Sequence, residues 1–92
     1  MDSCASYRND DGVPNLSKNR QDPILVALGD AIRRIRLEKG ISQEKLAVLA
    51  EVDRSYVGRV ERGDNNVAVL TLARLAKALE VSMMELMTGA GL

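Results

Sequence analysis

The sequence predicts an all-α fold of five short helices, and three observations carry that reading. Apolar residues recur at three- and four-residue spacing, clearest in Leu25, Leu28, Ile32 and Ile35. Four later helix starts each pair a hydrophobic residue before the cap with another at the fourth helical position. Hydrophobic residues make up 46% of the 92 positions, yet Phe and Trp are absent and there are only two Tyr. Leu, Val, Ile, Ala and Met must therefore fill the core, which suits helices packed closely through small side chains.

Residues 1–21 are polar, aperiodic and rich in Asn, Asp and Ser, and read as a flexible N-terminal arm. Asp22-Pro23 places a capping residue before a proline at the first helical position, and the run that follows stops at Gly40. Later starts lie at Ser42, Asp53 and Ser82, flanked by Ile41/Leu46, Val52/Val57 and Val81/Leu86; Glu85 completes a capping box with Ser82. The start at Ala68, between Val67 and Leu72, has the apolar pair without a capping side chain. The predicted helices span 23–39, 43–50, 54–62, 69–79 and 83–88. Only Glu51, Val52 and Asp53 separate the second from the third, a connection that suits a helix-turn-helix.

Thirteen basic side chains balance thirteen acidic ones, and residues 23–92 keep ten against nine. Any anion-binding surface must come from local clustering. With no His and a single Cys4, the chain has no metal-ligand spacing and no paired base and nucleophile, so no catalytic residue, metal or cofactor is expected. The N-terminus lacks a signal-peptide pattern and no apolar stretch approaches the ~20 residues that span a bilayer. A soluble, cytoplasmic protein without membrane partners is expected.

The segment "QEKLAVLAEVDRSYVGRVER" (43–62) has Leu46, Ala47, Ala50, Val52, Val57 and Val60 as its apolar positions, the pattern of a helix-turn-helix unit. Together with "LGDAIRRIRLEKGISQEKLA" before it and "VLTLARLAKALEVSMMELM" after it, this stretch resembles the phage-repressor and Cro-type helix-turn-helix domains, the xenobiotic-response-element (XRE) family. The resemblance spans about residues 25–88 and implies a compact, lambda-repressor-like domain over 22–92, with the helix-turn-helix at helices two and three. "DRSYVGRVERGDNNV" looks closest to the controller proteins of restriction–modification systems. Two positions depart from the family pattern. Glu51 stands where glycine is usual, at a cost of roughly 1 kcal/mol if the backbone there is left-handed, and Ala68 stands where Ser or Thr usually caps.

With Val57 and Val60 turned inward, helical spacing puts Arg54, Ser55, Gly58, Arg59 and Arg62 on the outer face of helix three. In this family that face is presented to DNA. Arg54 and Arg59 are the expected base readers, since arginine makes a bidentate pair with guanine, and Ser55 is a third contact or a local cap. Gly58 would let the helix backbone approach the duplex. Gln43 sits in the first turn of helix two, where free N–H groups favour a phosphate; the resemblance implies a backbone contact or a brace for the recognition helix. Lys45, Arg62, Asn65 and Asn66 are expected phosphate contacts, and the resemblance pairs Arg36 with Glu61 structurally. Leu70, Met83, Met84, Leu86 and Met87 exceed what one short helix buries against its own domain, and form the expected dimer interface.

These residues describe a sequence-specific transcriptional regulator that binds double-stranded DNA as a homodimer on an operator with two half-sites, acting by occlusion or recruitment of RNA polymerase. The controller resemblance implies control of its own gene and a nearby restriction gene. An antitoxin holding a toxin partner and a helical bridging module that binds no DNA are the other readings of the same fold.

Overall fold

A computed structural model describes residues 20–92; the expected arm, apart from Arg20 and Gln21, lies outside the described residues. Five α-helices follow in order: α1 (Pro23–Glu38), α2 (Gln43–Ala50), α3 (Arg54–Glu61), α4 (Val69–Ala78) and α5 (Met83–Gly89). No strand occurs among the described residues.

The helix starts follow local chemistry. The Asp22 side chain accepts from Ile24 N–H and the Ser42 hydroxyl from Lys45 N–H, while Ser82 and Glu85 form the reciprocal capping box. Asp53 occupies the cap position of α3 without a side-chain capping bond, and Ala68 offers none at α4. Both starts rely instead on the apolar staple, Val52 and Val67 each packing against the core.

The helix ends share a single device. Each closes with two backward backbone bonds, as in α2, where Glu51 N–H reaches Val48 O (3.2 Å) and Val52 N–H reaches Ala47 O (3.0 Å). This closure needs a left-handed residue just past the helix. Gly40, Gly63 and Gly91 supply it after α1, α3 and α5, but Glu51 (φ 61°) and Glu80 (φ 62°) supply it after α2 and α4. The same closure explains why α1, α3 and α4 each stop one residue short of the expected end.

Ile32, Leu46, Val57, Val60, Leu75, Leu79 and Leu86 form the fully buried centre. α2 packs on α3 and α4, and α1 on α3 and α5, so α3 is held from two sides. Gly29 permits the closest approach. A methyl group there would overlap the backbone carbonyl of Val60 and stand 2.7 Å from that of Glu61.

The expected dimer interface needs one correction. Leu86 is fully buried in the protomer's own core, and Met83 and Met87, three residues before it and one after, are half-buried against that core. They share the inner face of α5, whereas Met84 (78% exposed) and Leu70 on α4 (79%) point outward.

Because Gly29 meets main chain that cannot move aside, Gly29→Ala should destabilise the domain by about 1–3 kcal/mol. Urea unfolding measures this directly, and an unchanged midpoint would contradict the packing of α1 on α3.

Candidate nucleic-acid interface

The outer side of α3 forms the floor and one wall of an open groove lined by Arg20, Gln43, Arg54, Ser55, Gly58, Arg59, Arg62 and Asp64. Its orientation is set from behind by a buried ion pair. Arg36 Nε donates to Glu61 Oε2 (2.6 Å), Nη2 to Oε1 (3.1 Å), and Nη1 to the carbonyl of Ile41 (3.0 Å). Gln43 Nε2 adds a bond to Glu61 Oε1 (2.9 Å). Side chains from the last turn of α1 and the first turn of α2 thus converge on one carboxylate in the last turn of α3.

Gln43 therefore acts as a brace for α3. Its amide nitrogen has a second N–H, which leaves a donor at the groove edge. Arg54 and Ser55, at the start of α3, are exposed, as are Lys45 and Asn66; Asn65 is half-buried.

Two residues depart from the outward placement that helical spacing predicts. Gly58 is buried, because the side chains of Arg62 and Gln43 fold across it: an added Cβ would lie 3.2 Å from Arg62 Nη1 and 4.0 Å from Gln43 Nε2. Arg59 is only half-exposed, its guanidinium carbon 5.7 Å from the centre of the Tyr56 ring, within cation–π range. Its Nε is enclosed without a hydrogen-bond partner among the described residues. Tyr56 is packed against the core beside Thr71 of α4; burial raises its phenol above the usual value, opposed by the neighbouring Thr71 side chain and by the charges of Arg59 and Arg74. Tyr56 lies three residues before Arg59, one helical turn, so the spacing needed to find this support is in the sequence.

The far end of the groove brings in Arg20 and Asp64, neither of them among the expected contacts. Asp64 accepts from Gln21 Nε2 (2.5 Å) and Arg62 Nε (3.1 Å), and lies 3.5 Å from Arg20 Nε. Hydrogen bonds from Gln21 and then Arg62 hold its carboxyl below the usual carboxylate value. Four guanidinium groups and one ionised carboxylate thus surround a glycine floor. This arrangement favours an extended polyanion: charge is concentrated on one face, and the arginines present donors in several directions.

Residues 32–86 match the HTH_3 helix-turn-helix family. Control protein C.SmaI of Serratia marcescens is 43% identical over 65 residues, covering 71% of this chain and 77% of that protein. The crystal structure of the restriction-modification controller protein C.AhdI from Aeromonas hydrophila is similar with a TM-score of 0.66 at 50% identity, over 67% of this chain and 94% of that one. Controller protein C.Esp1396I, solved as a nucleoprotein complex, is similar with a TM-score of 0.66 at 36% identity, over 73% of this chain and 91% of that one.

Gly58 costs α3 about 1 kcal/mol of helix propensity relative to alanine, and the atom nearest an added methyl is the flexible end of Arg62. Gly58→Ala should therefore raise the melting temperature, by up to about 4–8 °C for a domain of this size. A lowered melting temperature would mean that Arg62 cannot yield.

Proposed function

The chain belongs to the HTH_3 helix-turn-helix family, and we propose that it is a sequence-specific transcriptional regulator that binds double-stranded DNA through α3. The observation that carries this reading is the groove on α3: four arginines gathered on one face of a chain with no net charge. A charged surface of this kind, left uncovered by its own domain and mounted on a helix short enough to lie in a major groove, fits a duplex.

Arg54 and Arg59 are the base readers, Arg54 from the exposed start of α3 and Arg59 from its support on Tyr56. Ser55 is placed for a base edge or a phosphate. Gln43, Lys45, Arg62, Asn65 and Asn66 flank the groove as phosphate contacts. Gly58 keeps the floor low enough for Arg62 and Gln43 to lie across it, so its place in the interface is to seat those two side chains.

The regulator acts as a homodimer. Leu70 and Met84 leave large apolar surfaces exposed on α4 and α5, away from the groove-lining residues, and a two-fold pairing there presents two copies of α3 to one side of a duplex. Half-sites about 34 Å apart match that symmetry. Its likeness to C.SmaI and C.AhdI supports a controller role, with its own gene and a restriction gene as targets, through occlusion or recruitment of RNA polymerase.

Selection of bound sequences from random duplexes should return a two-part site. Arg54→Ala and Arg59→Ala should each lose about 1–3 kcal/mol of discrimination at defined positions, and weakening spread evenly over all sequences would refute the base-reading assignment. In sedimentation equilibrium the unmodified chain should be a dimer, and the double variant Leu70→Glu, Met84→Glu a folded monomer. A dimer that survives both changes would place the interface elsewhere.

A further inference from the structure

Arg20 stands two residues before the α1 cap, in a stretch whose composition marks it as part of an arm. The structure fastens it to the recognition helix instead. Gln21 adopts a left-handed backbone (φ 64°), its N–H donates to Gly63 O (2.7 Å), and its side-chain amide donates to Arg62 O (2.7 Å) and to Asp64 Oδ1 (2.5 Å). Underneath, a Cβ on Gly63 would come within 2.8 Å of Val26, so the first turn of α1 lies directly against the end of α3. Residues 20 and 21 are thereby laid along the end of the groove.

Arg20 Nε is 3.5 Å from Asp64 Oδ1, with half of the Arg20 side chain exposed and Asp64 largely covered. The nearest approach is through Nε, and the guanidinium carries further N–H donors on its two terminal nitrogens. Asp64 uses its other oxygen, Oδ2, on Arg62 Nε. One carboxylate therefore holds two guanidinium groups side by side on the groove wall that also carries Arg54 and Arg59. A carboxylate in a surface that receives phosphates repels them, unless it also aims the cations that bind them.

Resting on the reading that α3 binds DNA, we propose that Arg20 is a phosphate contact of the same interface and that Asp64 is the positioning residue that holds it there. The interface then includes the segment before α1, and the duplex is gripped from both sides of the end of α3. The contact is electrostatic and indifferent to base sequence, so it contributes equally to selected and random duplexes.

The test uses the full chain, its selected duplex and a random duplex of equal length, titrated across a range of salt. Each neutralised phosphate contributes about −0.9 to the slope of log K against log salt. Arg20→Ala should flatten the slope by about 0.9 and weaken both duplexes by the same several-fold factor, and Arg20→Lys should retain the slope. In an Asp64→Asn background the effect of Arg20→Ala should shrink, since the side chain is no longer aimed. An unchanged slope in Arg20→Ala, with the unmodified chain still binding its selected duplex, would overturn the proposal. Full additivity with Asp64→Asn would overturn the positioning role. If the unmodified chain binds no duplex at any salt, the DNA-binding reading fails and this contact fails with it.

Discussion

The buried pair of Arg36 and Glu61 is the constraint on which the remaining geometry depends. Glu61 closes α3, Arg36 closes α1, and Gln43 opens α2, so three helix ends are fixed relative to one another by a single carboxylate. The pair also takes in a backbone carbonyl, that of Ile41 in the α1–α2 turn. Removing one partner of such a pair costs about 3–5 kcal/mol, because the other charge is left buried and uncompensated. For a small domain, whose total stability is about 5–15 kcal/mol, that is a large share.

The pair also decides which face of α3 is free. Val57 and Val60 are held inward, and Gly29 lets the α1 backbone lie against the carbonyls of Val60 and Glu61, so α3 has little freedom to roll. Arg54, Ser55, Gly58 and Arg59, at other positions of its helical cycle, then line the groove. Arg59 is packed over the ring of Tyr56, which is itself half-buried against the core. α3 is thus located at its end by ions and along its length by apolar contacts, and the bases would be read by side chains whose own origins are fixed.

Much of this was legible in the sequence, and the parts that were not share a physical cause. Helix starts were readable because caps and staples are local: Asp22, Ser42 and Ser82 act within three residues of themselves. The left-handed Glu51 was readable as a departure from the glycine expected there, but Glu80 gave no such sign, since the same closure after α4 uses a residue with no preference for that conformation. Leu86 was misplaced because four apolar residues on a short helix were counted together, although Met83, Leu86 and Met87 share one face and Met84 does not. Helical spacing placed Gly58 on the correct side of α3 but said nothing about Arg62, one turn later, folding back over it. The link between Arg20 and Asp64 spans 44 positions and rests on tertiary packing alone, so no local pattern announces it.

The charge balance gives this geometry its weight. Thirteen cations and thirteen anions leave no net field to draw a polyanion from a distance, and at physiological salt exposed charges are largely screened beyond about 8 Å. On the proposed reading, attraction to a duplex then comes from the groove, where Arg20, Arg54, Arg59 and Arg62 outnumber Asp64. A neutral chain gains little general affinity for DNA, and what binding it achieves must come from groups standing at the correct distances when contact is made. Distances of that kind are what the pair of Arg36 and Glu61, the brace of Gln43 and the packing of Tyr56 against the core supply. In a strongly basic domain a loosened recognition helix would still be held near DNA by its charge; on the proposed reading, the same loosening here would remove specific and general binding together.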